Sequence, residues 1–149
     1  MATSLNKSEI ELLLPHKDPM LLINTLTNIK KLNSATGIVS VRENSFFVQG
    51  HFPDKPVMPG VLIVEAFGQT AAALTAHGMD KSTYENKLVF LMGVEKARFR
   101  NPVIPNCELL LNIEAVRSHG KVWKYKGQAF VNNKLMADAI WSATIVDKK

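Results

Sequence analysis

The stretch PGVLIVEAFGQTAAALTAHG, residues 59–78, decides the fold of this chain. It is long and rich in alanine, and it predicts a helix from Pro59 to His77, with Pro59 near the first turn and Gly78 at the C′ position. Almost every face of this helix is apolar, so other parts of the protein must surround it. Its one carboxylate, Glu65, therefore needs an explanation beyond packing.

Six further runs are rich in residues that favour strands. The turn pairs at 119–120 and 132–133 make the last three runs antiparallel neighbours, because short connections require that arrangement. A short helix with Asn6 or Ser8 as its N-cap, ended by Pro15, precedes them. The predicted strands are residues 20–32, 34–41, 88–100, 107–119, 121–133 and 134–146, and residues 79–87 form a polar loop.

These elements predict an α+β fold in which a strongly curved antiparallel sheet wraps around the central helix. One small sheet cannot enclose an apolar helix completely, so we expect a second copy of the chain to cover the rest. The chain has 149 residues, too few for two ordinary domains, and we expect a single domain over residues 1–149.

Composition narrows the classes of function. A single cysteine, Cys107, excludes an internal disulfide and fits a reducing compartment. No apolar run reaches the roughly 20 residues that span a bilayer, and the N-terminus lacks a signal-peptide pattern, so we expect a cytoplasmic protein without membrane contact. The net charge of +5 is spread along the chain and suits an acidic protein partner, whereas no pattern favours nucleic acid.

Glu65 is a candidate general acid. Burial without a partner would raise the pKa of this carboxyl until it held a proton, and a neutral carboxyl in an apolar pocket can donate a proton near neutral pH. The alternative is a side chain that points to solvent or pairs with a lysine. Its polar neighbours on the predicted helix are Gln69 and Thr70, one turn further along.

His51 and Gly60 complete a candidate set. His51 stands directly before a proline-rich turn, which would fix the direction of its side chain as a catalytic base requires. Gly60 begins the predicted helix, where unpaired N–H groups carry partial positive charge and a missing side chain would admit a carbonyl group. A base, an acid and a carbonyl-polarising donor are the parts needed to remove a proton next to a carbonyl and expel a β-hydroxyl.

The stretch GHFPDKPVMPGVLIVEAFGQ, residues 50–69, closely resembles the signature of the β-hydroxyacyl-acyl-carrier-protein dehydratases of fatty acid synthesis, the FabZ type. The resemblance continues through LLPHKDPMLLI, residues 13–23, and GVEKARFRNPVIP, residues 93–105, and so covers most of the chain. It implies the hotdog fold, a long helix wrapped by an antiparallel sheet, in dimers that often assemble as trimers of dimers.

The resemblance also implies roles for the candidate residues. His51 corresponds to the catalytic histidine and Glu65 to the catalytic carboxylate, supplied by opposite subunits at a dimer interface. Gly60 occupies the position whose N–H holds the thioester carbonyl, and Val61 follows it in the substrate-binding segment, where the related dehydratase–isomerases have cysteine. The implied reaction is the conversion of (3R)-3-hydroxyacyl-acyl-carrier-protein to the trans-2-enoyl product, without cofactor or metal.

Three cations could recognise the acidic carrier protein. Lys96, Arg98 and Arg100 alternate along one predicted strand and would share a face, although a solvated strand face is an equal alternative. The remaining candidates are weaker on sequence alone. We expect His16 to be structural, His77 to lie at a helix end, His119 to lie in a solvated turn and Cys107 to be buried, while Met58, Phe67 and Met92 suit either an acyl tunnel or ordinary core.

The chain departs from the family pattern at several positions, which leaves the acyl chain length open and admits a specialised relative for polyketide or aryl-polyene assembly. The same fold could also serve as an acyl thioesterase or as a non-catalytic acyl-binding subunit, and the sequence leaves both functions open. The departures are Asp18, Met20, Asn24, Glu95, Asn106 and Cys107.

Overall fold

A computed structural model describes residues 3–147 of the chain. Three helices and six strands follow one another along this part of the sequence. They are α1 (Lys7–Leu13), β1 (Thr25–Lys30), β2 (Ser34–Val41), α2 (Gly60–His77), α3 (Lys81–Tyr84), β3 (Lys87–Phe99), β4 (Cys107–His119), β5 (Val122–Val131) and β6 (Lys134–Asp147).

All six strands form one antiparallel sheet in the order β1-β2-β4-β5-β6-β3. Helix α2 contacts every one of these strands, so the sheet curves around it. The hotdog arrangement is therefore confirmed. No helix within residues 3–147 combines the length and the hydropathy needed to cross a bilayer.

The core of the protein lies between α2 and the concave face of the sheet. Phe67 of α2 is fully buried and stacks on Trp141 of β6, with ring centroids 5.4 Å apart. Near the end of α2, the buried hydroxyl of Thr75 lies 2.6 Å from that of Tyr125 in β5. Burial raises the pKa of Tyr125 to about 12, because the ionised phenolate would lose its hydration.

The prediction for the first strand was too long. Residues 20–24 are not part of β1. The side chain of Gln69 binds two of their backbone groups: its amide donates to Met20 O at 2.7 Å and its oxygen accepts from Leu22 N at 2.8 Å. The polar loop prediction was also incomplete, since residues 81–84 form the single turn α3.

Gly78 lies at the end of α2, but its role differs from the predicted one. It is the C-cap residue, and its φ of −85° is not in the left-handed region. A Cβ atom here would lie 2.5 Å from Cδ2 of Leu32, so the glycine allows the helix end to approach the β1–β2 turn.

Strand β3 is an edge strand, paired with β6 on one side only, and most of its residues are exposed. Its register with β6 shifts twice, between Leu91 and Gly93 and between Val94 and Lys96. Several large apolar side chains along it are close to half exposed or more. These side chains are Phe90, Leu91, Met92, Val94 and Phe99.

Candidate active site

His51 is held by a tight loop that folds back on itself. Its Nδ1 lies 3.0 Å from the carbonyl oxygen of Val57, and the N–H of Val57 donates to the carbonyl oxygen of His51 at 2.7 Å. A carbonyl oxygen can only accept, so Nδ1 carries the proton and Nε2 presents a free lone pair. The adjoining His51–Phe52 peptide is cis, and the two rings stack with centroids 4.3 Å apart.

Glu65 is half-buried on α2, and its contacts are made through one oxygen atom. Gln69 donates to Oε2 at 2.9 Å, as the spacing of one helical turn predicted. His16 Nε2 lies 3.3 Å from the same Oε2. The carboxyl is thus neither turned wholly to solvent nor paired with a lysine.

The expectation of a raised pKa for Glu65 was wrong. Hydrogen bonding with His16 is the largest influence and lowers the pKa of this carboxyl; burial opposes it, and the Gln69 hydrogen bond and the charge of His16 lower it further. The sequence placed no polar group beside the carboxyl except on its own helix. His16 lies 49 residues earlier, and only the folded chain brings the two together.

Gly60 is the first residue of α2, and Pro59 gives the helix no side-chain cap. Among the described residues, the N–H groups of Gly60 and Val61 have no hydrogen-bond partner. The space that a side chain on Gly60 would occupy is bounded by the ring of Phe99, 3.0 Å from the Cβ position. The glycine thus leaves free donors beside an aromatic wall, and Val61 is 74% exposed next to them.

A cavity of about 50 Å³ lies beside Glu65, between α2 and strands β3 and β6. It shares Ala72, Val89 and Ala143 with a second apolar cavity of about 30 Å³ that continues along α2 as far as Met79. The two cavities are therefore neighbours, and the second is lined by Thr75 and Tyr125. Their walls are mostly apolar, as an aliphatic chain requires.

Among the described residues of one chain, His51 and Glu65 have no contact partner in common. His51 contacts Phe52 and bonds to the loop, whereas Glu65 contacts His16 and Gln69. The structure of a single chain therefore does not join the predicted base and the predicted acid into one site.

The three predicted docking cations differ in their surroundings. Lys96 and Arg98 are exposed on β3 and, within residues 3–147, form no ion pair. Arg100 lies just beyond the strand, and its Nε donates to Oδ2 of Asp138 at 2.6 Å. The carboxylate of Asp138 therefore already balances part of the charge of Arg100.

The weaker candidates are placed as follows. Cys107 is only partly buried at the start of β4, against the prediction, because its thiol reaches the chain surface and donates to Ile104 O at 3.3 Å. Desolvation raises the pKa of this thiol. His77 is in the last turn of α2, and His119 is the exposed last residue of β4.

The three candidates for an acyl tunnel do not line either of the two cavities. Met58 and Phe67 are buried in the core, and Met92 is exposed on the edge strand. The sequence did not identify the residues that the two cavities share, because these have no feature that distinguishes them from core residues.

The departures from the family pattern lie mostly at turns and surfaces. Asp18 pairs with Lys7 at 2.9 Å, Asn24 accepts from Ser40 N at 2.8 Å, and Asn106 has a positive φ of 69°. Glu95 pairs with Lys124 at 2.8 Å. Met20 is the exception, because its carbonyl oxygen binds the same Gln69 that contacts Glu65.

Known proteins are similar to this chain in sequence and in architecture. Residues 14–140 match the FabA-like domain family. The chain is 44% identical to the 3-hydroxyacyl-(acyl-carrier-protein) dehydratase FabZ of Paramagnetospirillum magneticum, over 95% of this chain and 88% of the relative. It is 47% identical to the FabZ of Gluconobacter oxydans, over 89% of this chain and 78% of the relative.

A solved structure supports the fold. A chain of the dehydratase heterocomplex ApeI:P from Xenorhabdus doucetiae superposes with a TM-score of 0.81, covering 93% of this chain and 91% of that chain. The sequence identity is 17%, so this likeness concerns the fold alone. With the FabA-like match across most of its length and FabZ relatives above 40% identity, the chain belongs to the FabA-like family, among the FabZ-type dehydratases.

Proposed function

We propose that the chain is a hydro-lyase that dehydrates (3R)-3-hydroxyacyl-acyl-carrier-protein to the trans-2-enoyl thioester in fatty acid biosynthesis. The observation that carries the proposal is the hydrogen bond between His51 Nδ1 and Val57 O, which leaves Nε2 as a base in a fixed orientation. The FabZ relatives are, by name, dehydratases of 3-hydroxyacyl groups on the acyl carrier protein.

The proposed reaction removes a proton from C2 and a hydroxyl from C3. His51 Nε2 takes the C2 proton, the electron pair forms the C2–C3 double bond, and the C3–O bond breaks as the protonated form of the Glu65 carboxyl supplies a proton, so that water leaves. The free N–H of Gly60 donates to the thioester oxygen, where negative charge develops, and Val61 continues the same segment. The acyl tail extends along the two apolar cavities. No step requires a cofactor or a metal ion.

We propose a site shared between two copies of the chain. His51 and Glu65 have separate contacts within one chain, and α2 and β3 expose apolar side chains that a second copy would cover. Symmetric pairing of two such surfaces creates two equivalent sites, each with His51 from one copy and Glu65 from the other. The family resemblance further suggests three such dimers in one assembly.

The proposed partner is an acyl carrier protein, and the proposed location is the cytoplasm. Lys96 and Arg98 are exposed and without ion pairs in the described part of the chain, so they suit an acidic surface better than Arg100 does. Complementary charge of this kind raises the rate of encounter more than it raises affinity.

The test is incubation of the purified chain with a (3R)-3-hydroxyacyl thioester, with the products followed by mass spectrometry. Loss of water with the thioester intact supports the proposal. Release of free thiol would identify a thioesterase, and no change would identify an acyl-binding subunit; either result contradicts the proposal. A panel of saturated and aryl-polyene substrates then separates fatty acid synthesis from a specialised pathway.

A further inference from the structure

His16 is a half-buried titratable residue whose ring makes a single polar contact. Its Nε2 lies 3.3 Å from Oε2 of Glu65, whereas the Nδ1 atom is buried and has no hydrogen-bond partner among the described residues. A histidine that served only the packing of the loop would be expected to bond to the backbone of that loop. The polar contact of His16 is instead made with the candidate acid.

The contacts of Glu65 are arranged unequally between its two oxygens. Gln69 and His16 both lie against Oε2, at 2.9 Å and 3.3 Å, and within residues 3–147 Oε1 has no partner. Gln69 is itself fixed, because its amide also binds Met20 O and its oxygen accepts from Leu22 N. The carboxyl is therefore oriented by two side chains that come from different parts of the fold.

We propose that His16 is a positioning residue for Glu65: together with Gln69 it holds Oε2, so that Oε1 is the oxygen that exchanges a proton with the C3 hydroxyl of the substrate. This inference rests on the proposed function. His16 acts as a donor through Nε2–H. When the Oε1 proton leaves with the hydroxyl, the negative charge that appears on the carboxylate is stabilised by the two donors already at Oε2.

The electrostatics of the cavity support this role. Of the residues that line the cavity beside Glu65, His16 is the other titratable one, and the remainder are apolar or glycine. In the shared site, His51 of the second copy would add one more titratable group. Hydrogen bonding with His16 is the main reason that the pKa of Glu65 is lowered, so His16 stabilises the ionised carboxylate that remains after the proton has been given up.

The test compares two nearly isosteric substitutions. His16→Gln keeps an N–H donor at about the reach of Nε2, whereas His16→Met fills a similar volume without a donor. We expect His16→Met to lower kcat about 10- to 100-fold, the equivalent of one hydrogen bond to a charged group, and His16→Gln to restore much of it. His119→Gln, at an exposed position, is the matched control.

A direct titration separates positioning from packing. The carboxyl of Glu65 is followed by carbon-13 NMR and assigned by its absence in Glu65→Gln. We expect its titration to move to higher pH in His16→Met and to remain near that of the parent chain in His16→Gln. An unmoved titration in His16→Met would overturn the proposal, whatever happens to the rate.

The titration also distinguishes the failure of this inference from failure of the proposed function, because it needs no substrate. If His16→Met does not fold, His16→Asn replaces it, since asparagine is polar but too short to reach Oε2. His16→Gln is compared with His16→Met, or with His16→Asn where that variant is used instead. If the two variants had the same kcat and the same titration of the Glu65 carboxyl, the role of His16 would be packing alone.

Discussion

The Nδ1 atom of His51 and the carbonyl oxygen of Val57 lie 3.0 Å apart, so the proposed base is locked in one tautomer by its own loop. We expect His51→Ala to lower dehydration by about 100-fold or more, because general base catalysis contributes at least that much. The assay is water loss from a hydroxyacyl thioester. A residual rate within tenfold of the parent would exclude His51 as the base.

Glu65→Gln tests the acid. The amide can still bond to Gln69, so we expect an unchanged fold by circular dichroism, but it cannot deliver a proton and activity should fall by about 100-fold or more. Glu11, a partly exposed residue of α1, offers the same substitution as a control. A loss smaller than tenfold would remove Glu65 from the acid role.

The shared site predicts complementation between inactive chains. If His51→Ala and Glu65→Gln chains are unfolded together and refolded, random pairing makes about half the dimers mixed, each with one intact site of two, so activity should return to roughly a quarter of the parent value. Mass spectrometry confirms that mixed dimers form. If His51 and Glu65 of one chain served the same site, no dehydration activity would return, because every site would lack one of the two groups.

The carrier-protein surface is tested by charge reversal. We expect Lys96→Glu combined with Arg98→Glu to raise KM for a carrier-linked substrate and to leave KM for a short soluble thioester unchanged, because the short thioester has no acidic carrier protein for these cations to bind. A double change at Lys30 and Lys31, exposed near the opposite edge of the sheet, is the matched control. Equal effects on both substrates would contradict docking at β3.

Tyr125 predicts a specific pH dependence of stability. The pKa of its phenol is raised to about 12 in the folded chain, compared with an ordinary value near 10. The protonated form is favoured by folding, so this contribution is complete below about pH 10 and is lost as pH rises toward about 12. The free energy of unfolding, measured with denaturant at each pH across that range, should fall less steeply with pH in Tyr125→Phe than in the parent chain. Parallel curves of unfolding free energy against pH for the two proteins would contradict this prediction.

Below pH 10, Tyr125→Phe should itself destabilise the fold. The change leaves the buried hydroxyl of Thr75 without its 2.6 Å partner, at a cost of about 1 to 3 kcal/mol. The double variant with Thr75→Val removes the unpaired group and should recover part of the loss. No recovery would show that the hydroxyl pair does not contribute in this way.

Much of the fold could be predicted from local pattern. Strands β2 and β4 begin and end at the predicted residues, and α2 differs only at its first residue, because strand alternation and the Pro59–Gly78 boundaries are local signals. The failure at residues 20–24 has a non-local cause. Met20 O and Leu22 N bond to Gln69, almost 50 residues later, and apolar composition alone cannot reveal that.

The site was predictable in its residue types but not in its electrostatics. His51 and Glu65 are predictable because each interrupts a local pattern. His51 is a histidine directly before a proline-rich turn, and Glu65 is a carboxylate in an apolar helix. The direction of the Glu65 pKa shift depends on His16, a contact made only by folding. Likewise, the pairing of Arg100 with Asp138 joins two distant segments through the β3–β6 register.

Strand β3 has a consequence for the newly made chain. Its 13 residues leave one row of backbone donors and acceptors unpaired, beside exposed apolar side chains, and such a row is a template on which any extended segment can add. For the proposed dimer, the interval between synthesis and pairing is therefore when aggregation is the greatest hazard. The two register shifts along β3 divide this row of unpaired backbone groups into shorter lengths. They therefore limit how many residues of a foreign strand can pair with β3 before the proposed dimer forms.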